Sequence, residues 1–533
     1  MQGHFEIAVG GTESRAGDRD IPSVPLAIVA GCMLAGAAYA YAVGDDTNWD
    51  WRNYHAYNVW ATINNRYDTD VIPAGFQTYF NPLIYYPIYV LRQLLSPLWT
   101  GLIAGAVHGL NLAAIYSLTR ALLGSAANAA CLAASILLAA FGPMTLSEVG
   151  TSFADIVLSL PIIAALIFIT SSDELRPKFY ILAGVLIGAS VAFKLTNVVF
   201  ALGLVTAAIA ARRPLAATGC VALGGAIGSL LAGGWWSFLL WRDFGNPVFP
   251  LFNGIFPSPE LSPINILDRQ FIPHGWLDGL AYPFYWLAGD HRSSEYAFRD
   301  ARFAVALILL ALAIGASLVR RAAVFTHRDV QFIVFFAVSY ATWLMLFSIQ
   351  RYVVALELLC GPLIVLLLVR ILQHPAFNGS CIGLGGWRSV IILTVALASA
   401  AWTQPGDWTR RAWSNPYHPQ LPKELTQPAI YLLLDKPLSY IAPLLPPQSR
   451  FYQLADVALP IVPNGRLDSR IRAGLQHKLP GGIWELHLRG SSIRKELLDP
   501  YGLMIDGSRS CVEIEGANAG AVIEACPAIA RQR

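Results

Sequence analysis

The sequence predicts an all-α polytopic membrane bundle of about 11 transmembrane helices, with a small α/β domain at its C-terminal end. Three observations predict this. Of 533 residues, 55% are hydrophobic and 13% charged, about half the charged fraction of a soluble domain. Apolar runs of bilayer-crossing length recur along the chain, each bounded by charges or by Pro and Gly. After Trp402 the pattern changes to a Pro-rich approach, 403–447, followed by short alternating segments.

The first run, 21–43, is long enough to span, since a crossing takes about 20 residues. Residues 1–20 are polar and mixed in charge, unlike a cleaved signal, and are expected to form a cytoplasmic tail. Further spans are expected near 98–122, 126–141, 154–170, 179–193, 196–211, 214–240, 302–319, 330–347, 352–369 and 389–402. Arg120, Arg176, Lys178, Arg212, Arg213, Arg320, Arg321, Arg328, Arg370 and Arg388 fall on one side of this arrangement. Basic residues in short loops stay cytoplasmic, so the opposite, outer side receives loops 44–97, 146–153, 241–301 and 348–351, and everything after Thr403. The domain plan is a tail 1–20, a membrane module 21–403 and an outer domain 404–533. A bacterial inner membrane with a periplasmic C-terminal domain fits it.

The net charge of +3 is too small, and its basic residues too dispersed, to argue for nucleic acid. Five cysteines, Cys32, Cys131, Cys220, Cys360 and Cys381, lie in or beside apolar runs. Cys511 and Cys526 flank the strand-like run Val512-Glu513-Ile514-Glu515, where an oxidising compartment allows a disulfide. The alternation in 482–488 reads as a half-buried strand. No internal repeat is visible.

Loop 44–97 carries the densest chemistry: Asp45, Asp46, Asp50, Arg52, Tyr54 and His55 follow directly on the first span. Residues 50–61 have rings at helical spacing and are expected to lie in the membrane interface as an amphipathic helix. Asp50 then sits at the mouth of the first span, where a carboxylate half out of water can take a proton from a substrate hydroxyl. Asp45 and Asp46 are as readily solvated helix caps. Residues 72–83 are too short and too polar to span; interfacial helices broken by Pro account for them.

Charges that border hydrocarbon cost roughly 2.5–3.5 kcal/mol on insertion scales, so a functional or paired role is the default. Glu148 and Asp155 flank the start of the fourth span, Lys194 interrupts an apolar stretch, and Arg351-Tyr352 begins the tenth. All are expected at the membrane level of Asp50. Snorkelling to lipid phosphates is the alternative for Lys194 and Arg351. Together they would set an anionic base beside cationic clamps, which suits transfer from a phosphate leaving group. Loop 241–301 adds His274, Asp290, His291, Arg292, Glu295 and Arg299. These have no compact metal-ligand spacing, so a divalent metal is possible but not indicated, and Arg292 or Arg299 can serve as a phosphate clamp.

The ordered anchors Asp50-x-x-x-Tyr54, Glu148…Asp155, Lys194-x-Thr196, Gly245-Asn246-Pro247-x-x-Pro250 and Arg351-Tyr352 resemble the GT-C superfamily of membrane glycosyltransferases. Its bacterial members include aminoarabinose transferases and relatives of protein O-mannosyltransferases. The resemblance spans about residues 20–400. It implies an enzyme that moves a sugar from a polyprenyl-phosphate or polyprenyl-diphosphate donor to a glycan, lipid or protein hydroxyl at the outer face, usually with inversion. By position, Asp50 resembles the catalytic base and Asp155 a second acidic residue with Glu148 beside it. Lys194 and Arg351 resemble the groups that neutralise the donor phosphate, while Arg52, Tyr54 and His55 would line the cavity or orient Asp50, and Tyr352 would join the substrate-binding residues. The sequence departs from the family pattern at one point. Many relatives carry an adjacent acidic pair, whereas here Asp50 precedes Trp51 and the only acidic pair in this loop is Asp45-Asp46, which keeps that pair as the alternative base. A transporter or lipid-glycan flippase is the second reading. It would call for midplane charges at a repeat interface, and a non-enzymatic envelope scaffold would leave the acidic loop unused.

Overall fold

The computed structural model describes residues 21–531 apart from 262, 264, 267, 321–323, 374–384, 409, 414–420, 457, 492–494 and 516–521. The expected tail 1–20, Arg321 and Cys381 lie outside the described residues. The chain is a multi-pass membrane protein. Among the described residues six helices are long and apolar enough to cross a membrane, and five shorter apolar helices of 10–17 residues accompany them.

In chain order the helices are α1 (Leu26–Val43), α2 (Ala56–Ile63), α3 (Tyr86–Leu94), α4 (Pro97–Leu123), α5 (Ala129–Ala140) and α6 (Pro143–Glu148). Then come α7 (Ala154–Thr170), α8 (Pro177–Phe193), α9 (Val198–Ile209), α10 (Pro214–Phe244), α11 (Trp276–Ala288), α12 (Arg302–Arg320), α13 (His327–Leu346), α14 (Val354–Gln373) and α15 (Gly385–Trp402). Proline opens α4, α6, α8 and α10, where a missing N–H costs nothing and φ is already helical. Thr326 and Asp329 form a reciprocal capping box on α13, and Asn128 caps α5 through Cys131 N at 2.9 Å; each satisfies amides that the first turn leaves free.

Close packing follows the small residues. A Cβ on Gly36 would stand 2.2 Å from Gly105 O, and one on Gly184 2.4 Å from Val221 O. The α1–α4 and α8–α10 pairs therefore approach backbone to backbone, as expected where lipid offers no hydrophobic drive for association. The tenth expected span is the bundle's centre, with 94% of its apolar window buried. Basic loops meet at one end: Arg328 pairs with Asp173, Arg370 with Asp329, and Arg120 donates to Ser23 O. The loops that carry Asp50, Asp155, Lys194 and Arg351 meet at the other.

At that second end stands the C-terminal sheet. Its strands are β3 (Ile430–Leu433), β4 (Arg450–Gln453), β5 (Ile483–Leu488), β6 (Leu503–Ile505), β7 (Val512–Ile514) and β8 (Ile523–Ala530), in the order β4-β3-β5-β8-β6, with β7 also on β8. The β3 strand runs parallel to β4 and β5, while β8 runs antiparallel to its neighbours. A short helix, α16 (Arg466–Leu475), packs Leu467 and Ile471 against one face. Upstream, β1 (Asp45–Asp46) pairs antiparallel with β2 (Arg410–Arg411), tying loop 44–97 to the segment after α15.

The structure changes three local expectations. Residues 50–61 are no interfacial helix: a π-helical turn, Trp51–His55, runs into α2, and Trp51, Tyr54 and Tyr57 are buried. The reason is the sheet domain, whose Leu438, Tyr440 and Ile441 share one apolar cluster with those rings, while Ser439 Oγ donates to Asn53 O. Residues 72–83 form two short 3-10 turns, with Val71 joined to the edge strand β4 through Phe451 O at 2.9 Å. The β5 strand is buried at its four central residues, because Trp484 and Leu486 pack into the apolar cluster of the 438–445 segment while Glu485 and His487 on the other face pair with each other and with Glu524. Cys511 and Cys526 are disulfide-bonded.

Candidate functional site

The turn Trp51–His55, the residues that link α6 to α7, the break between α8 and α9, and the 3-10 turn Gln350–Val353 converge at one end of the bundle. Each is a place where a helix starts or ends, so each can expose side chains that a continuous span would turn to lipid.

Two carboxylates there are held by two cations. Arg351 Nη1 donates to Asp50 Oδ2 at 2.8 Å, and Lys194 Nζ lies 2.5 Å from Asp155 Oδ2. All four side chains are at most 15% exposed. Charge-assisted bonds of this length are about twice as strong as neutral ones. Tyr54 OH stands 3.5 Å from Asp50 Oδ2, and Tyr85 OH 3.5 Å from Tyr54 OH. Rings wall the cations: the Arg351 guanidinium sits 4.6 Å from Phe153, 5.3 Å from Trp408 and 5.8 Å from Tyr352, and Lys194 lies 4.6 Å from the centre of Tyr352. Such contacts hold a cation without neutralising it.

Glu148 ends α6 and is fully buried. Its Oε2 accepts from Ile156 N at 3.1 Å, while Oε1 has no partner among the described residues. Burial first, then the charge of Asp155, pushes its carboxyl well above the usual range, against Arg351 and Lys194. Its surroundings thus favour the protonated form over the carboxylate.

His55 stacks on Tyr85 with centroids 3.9 Å apart, and its Nδ1 lies 3.0 Å from Ser152 Oγ. Burial holds its pKa well below 6.5, so the imidazole is neutral. Ser152 in turn meets Asn48 Nδ2 at 2.9 Å, and its N–H donates to Asp46 Oδ2 at 2.9 Å. Asp46 also accepts from Asn48. Burial opposes its charge, but Arg92 and Arg410 outweigh that and hold its carboxyl below the usual range. Neighbouring Asp45 is pushed up to about 6 by burial, with Arg92 pulling the other way.

The pair Asp45-Asp46, expected either as solvated caps or as the alternative base, is neither solvated nor aimed at the cations. Both residues are 2% exposed and brace the loop against Arg92 and the β2 arginines; Arg410 reaches Ser147 O, Val149 O and Gly44 O. Of the residues singled out by sequence, Asp50, Tyr54, His55, Glu148, Asp155, Lys194, Arg351 and Tyr352 come together. Arg52 is half-buried, with Nε 3.5 Å from Asn48 O. Arg292 is spoken for: it bonds Asp278 and Asp290 and stacks 3.7 Å above Tyr285. These contacts form an ion-pair group of their own within loop 241–301. Sequence reasoning missed Ser152, Tyr85, Phe153 and Trp408. An acidic residue two positions before Asn48 signals an Asx-type turn, but nothing in the sequence points to Trp408.

In the sheet, Glu485, His487 and Cys526 bring donor atoms within 4.8 Å of one another. Cys526 is bonded to Cys511, and His487 spans Glu485 and Glu524 at 3.1 and 3.0 Å. That group is a closed ion ladder across β5 and β8.

No protein-family model matches the chain, and no curated protein does. Three solved structures are similar. ArnT from Cupriavidus metallidurans bound to undecaprenyl phosphate is 16% identical, with a TM-score of 0.45, over 70% of this chain and 63% of that one. The apo oligosaccharyltransferase of Archaeoglobus fulgidus is 12% identical, with a TM-score of 0.46, over 86% and 69%. The arabinosyltransferase EmbB of Mycobacterium smegmatis is 14% identical, with a TM-score of 0.37, over 73% and 38%. The chain thus spans under two thirds of the length of ArnT.

Proposed function

We propose that the chain is a membrane glycosyltransferase of the GT-C type that moves a sugar from a polyprenyl-phosphate-linked donor to an acceptor hydroxyl, with inversion. The observation that carries this is the pairing of Asp50 with Arg351 and of Asp155 with Lys194 in one buried, ring-walled cluster at the bundle's end. A donor phosphate that enters there competes with both carboxylates for the two cations. Once Arg351 turns to phosphate, Asp50 is free to take the proton of the acceptor hydroxyl. The acceptor oxygen then bonds to the anomeric carbon as the bond from that carbon to the phosphate oxygen breaks. Lys194 and Arg351 stabilise the charge that grows on the leaving phosphate. Asp155 and Glu148 hydrogen-bond sugar or acceptor hydroxyls, and Tyr54 and His55 fix the turn that carries Asp50.

The basic loops at the opposite end, with Arg120, Arg328 and Arg370, support a cytoplasmic location for that end. The reaction then takes place at the outer face of the inner membrane, with all eleven apolar helices embedded, residues 21–403 as the membrane module and 404–533 as a periplasmic domain. The donor enters from the outer leaflet, with its tail in lipid and its head at Arg351.

Transfer of labelled sugar from a polyprenyl-phosphate donor by the purified protein tests this reading. Wild type should release polyprenyl phosphate in step with product, and Asp50→Asn should not. Wild-type protein that turns over no such donor would remove the activity, and a fully active Asp50→Asn would remove the base.

A further inference from the structure

The bundle holds a second set of buried charges. Arg302, Asp300 and Glu357 are each 0% exposed. Arg302 bonds Asp300 Oδ2 at 2.6 Å and lies 3.6 Å from Glu357 Oε2. Its Nη1 also donates to Leu138 O and Glu357 O, both at 2.9 Å. A buried pair of this kind stabilises little relative to apolar side chains of the same volume, and ionisable groups in a membrane bundle mark function by default.

What Glu357 touches explains the expense. Its Oε2 accepts from Met144 N at 3.1 Å, Thr145 N at 3.0 Å and Thr145 Oγ1 at 3.1 Å. Its Oε1 accepts from Gln350 Nε2 at 3.3 Å. The backbone at Gly142 comes so near that a Cβ there would stand 2.4 Å from Oε2. One carboxylate therefore pins the first turn of α6, whose last residue is Glu148, to the residue that precedes Arg351. Gln350 is fixed from its other side as well, with its N–H on Ser293 O at 2.8 Å.

We infer that Glu357 is a positioning residue that sets the relative placement of Arg351 and Glu148, acting through Gln350 and α6, without itself touching substrate. This rests on the transferase reading above. It predicts energetic coupling between Glu357 and Arg351, whereas a purely structural role would add its cost independently.

The test is a double-mutant cycle on the full-length protein with Glu357→Gln and Arg351→Lys, read per folded molecule. Glu357→Gln should lower kcat about 10- to 100-fold and weaken polyprenyl phosphate binding about 10-fold, and the double variant should be no slower and bind no more weakly than the worse single. Thr145→Val, which removes one hydroxyl, gives the milder form: a several-fold fall in kcat that also disappears in the Arg351→Lys background. Binding of polyprenyl phosphate, measured by calorimetry, gives the same cycle without turnover. If wild type transfers no sugar, the transferase reading fails, and the calorimetric cycle still decides the coupling. Multiplicative losses in these cycles, or wild-type kcat and binding in both Glu357→Gln and Thr145→Val, would overturn the inference.

Discussion

Asp50 and Arg351 are 301 positions apart in the chain and meet through a 2.8 Å charge-assisted hydrogen bond. The loop after the first span and the turn that opens the central helix are thereby held in one place. Neither charge has bulk water to fall back on, so each is the other's main source of stabilisation, and whatever displaces one releases the other.

Replacement of Asp50 by Asn should cut sugar transfer about 10²- to 10⁴-fold, the usual size of a lost general base. Polyprenyl phosphate should bind at least as tightly as in wild type, because Arg351 no longer has to leave a carboxylate. Rates of labelled-sugar transfer and calorimetric Kd values together check both halves.

Arg351→Met should destabilise the fold by about 3–5 kcal/mol, since it strands a buried carboxylate. Arg351→Met combined with Asp50→Asn should recover most of that loss while remaining inactive. Thermal unfolding of the two purified variants in the same detergent distinguishes them; equal midpoints would mean that the pair is solvated.

Lys194→Met should weaken polyprenyl phosphate binding about 10- to 100-fold, which corresponds to one charge-assisted contact of about 1.5–3 kcal/mol. Lys194→Arg should lose less affinity but still turn over slowly, because a planar fork does not reproduce the ammonium seated 4.6 Å from Tyr352.

Stability should depend on pH through Asp45. Its folded pKa, about 6, lies above the ordinary aspartate value of 3.8, so folding favours the protonated form. The stabilisation it gives is complete below about pH 4 and is lost as pH rises toward 6. Asp45→Asn should abolish that fall and raise the thermal midpoint at pH 7 by a few degrees, about what 1 kcal/mol yields in a domain of 150–250 residues. Asp46 has the opposite sign: its pKa is lowered, and its contribution disappears as pH falls below the carboxylate range. Melts of Asp45→Asn from pH 4 to 8 and of Asp46→Asn from pH 5 down to 2 should therefore depart from wild type with opposite pH dependence.

The disulfide closes a loop with a sequence separation of 15, for which the chain-entropy estimate is about 3 kcal/mol. Cys511→Ala with Cys526→Ala should expose the β7–β8 region to proteolysis and leave kcat unchanged, because neither cysteine touches the charged cluster.

Much of this was legible because membranes constrain sequence so severely. Hydrocarbon tolerates only self-satisfied backbone, so apolar run length alone located α4, α7, α8, α10 and α12 within a few residues. The same severity flagged Asp155, Lys194 and Arg351, since a charge beside lipid stands out against apolar surroundings. What misled was amphipathicity. Trp51, Tyr54 and Tyr57 have the spacing of an interfacial helix, and the sequence carries no sign that the 438–445 segment covers them. Arg292 has Asp290 two positions away in the sequence, but its pairing with Asp278, 14 positions back, shows only in the fold. Asp45 and Asp46 read as caps because their partners, Arg92, Ser152 and Arg410, come from three other segments.

The sequence by itself determined that this is a membrane bundle with a small sheet domain after it, and which charges had to find partners. Tertiary structure decided which partner each found: Asp50 with Arg351, Asp155 with Lys194, Asp46 with Ser152 and Arg92, Glu357 with α6. The physical reason is that the cost of burying a charge is local and shows at its own position. Its compensation is a contact of less than 4 Å, set by how helices and loops hundreds of residues apart come to lie side by side.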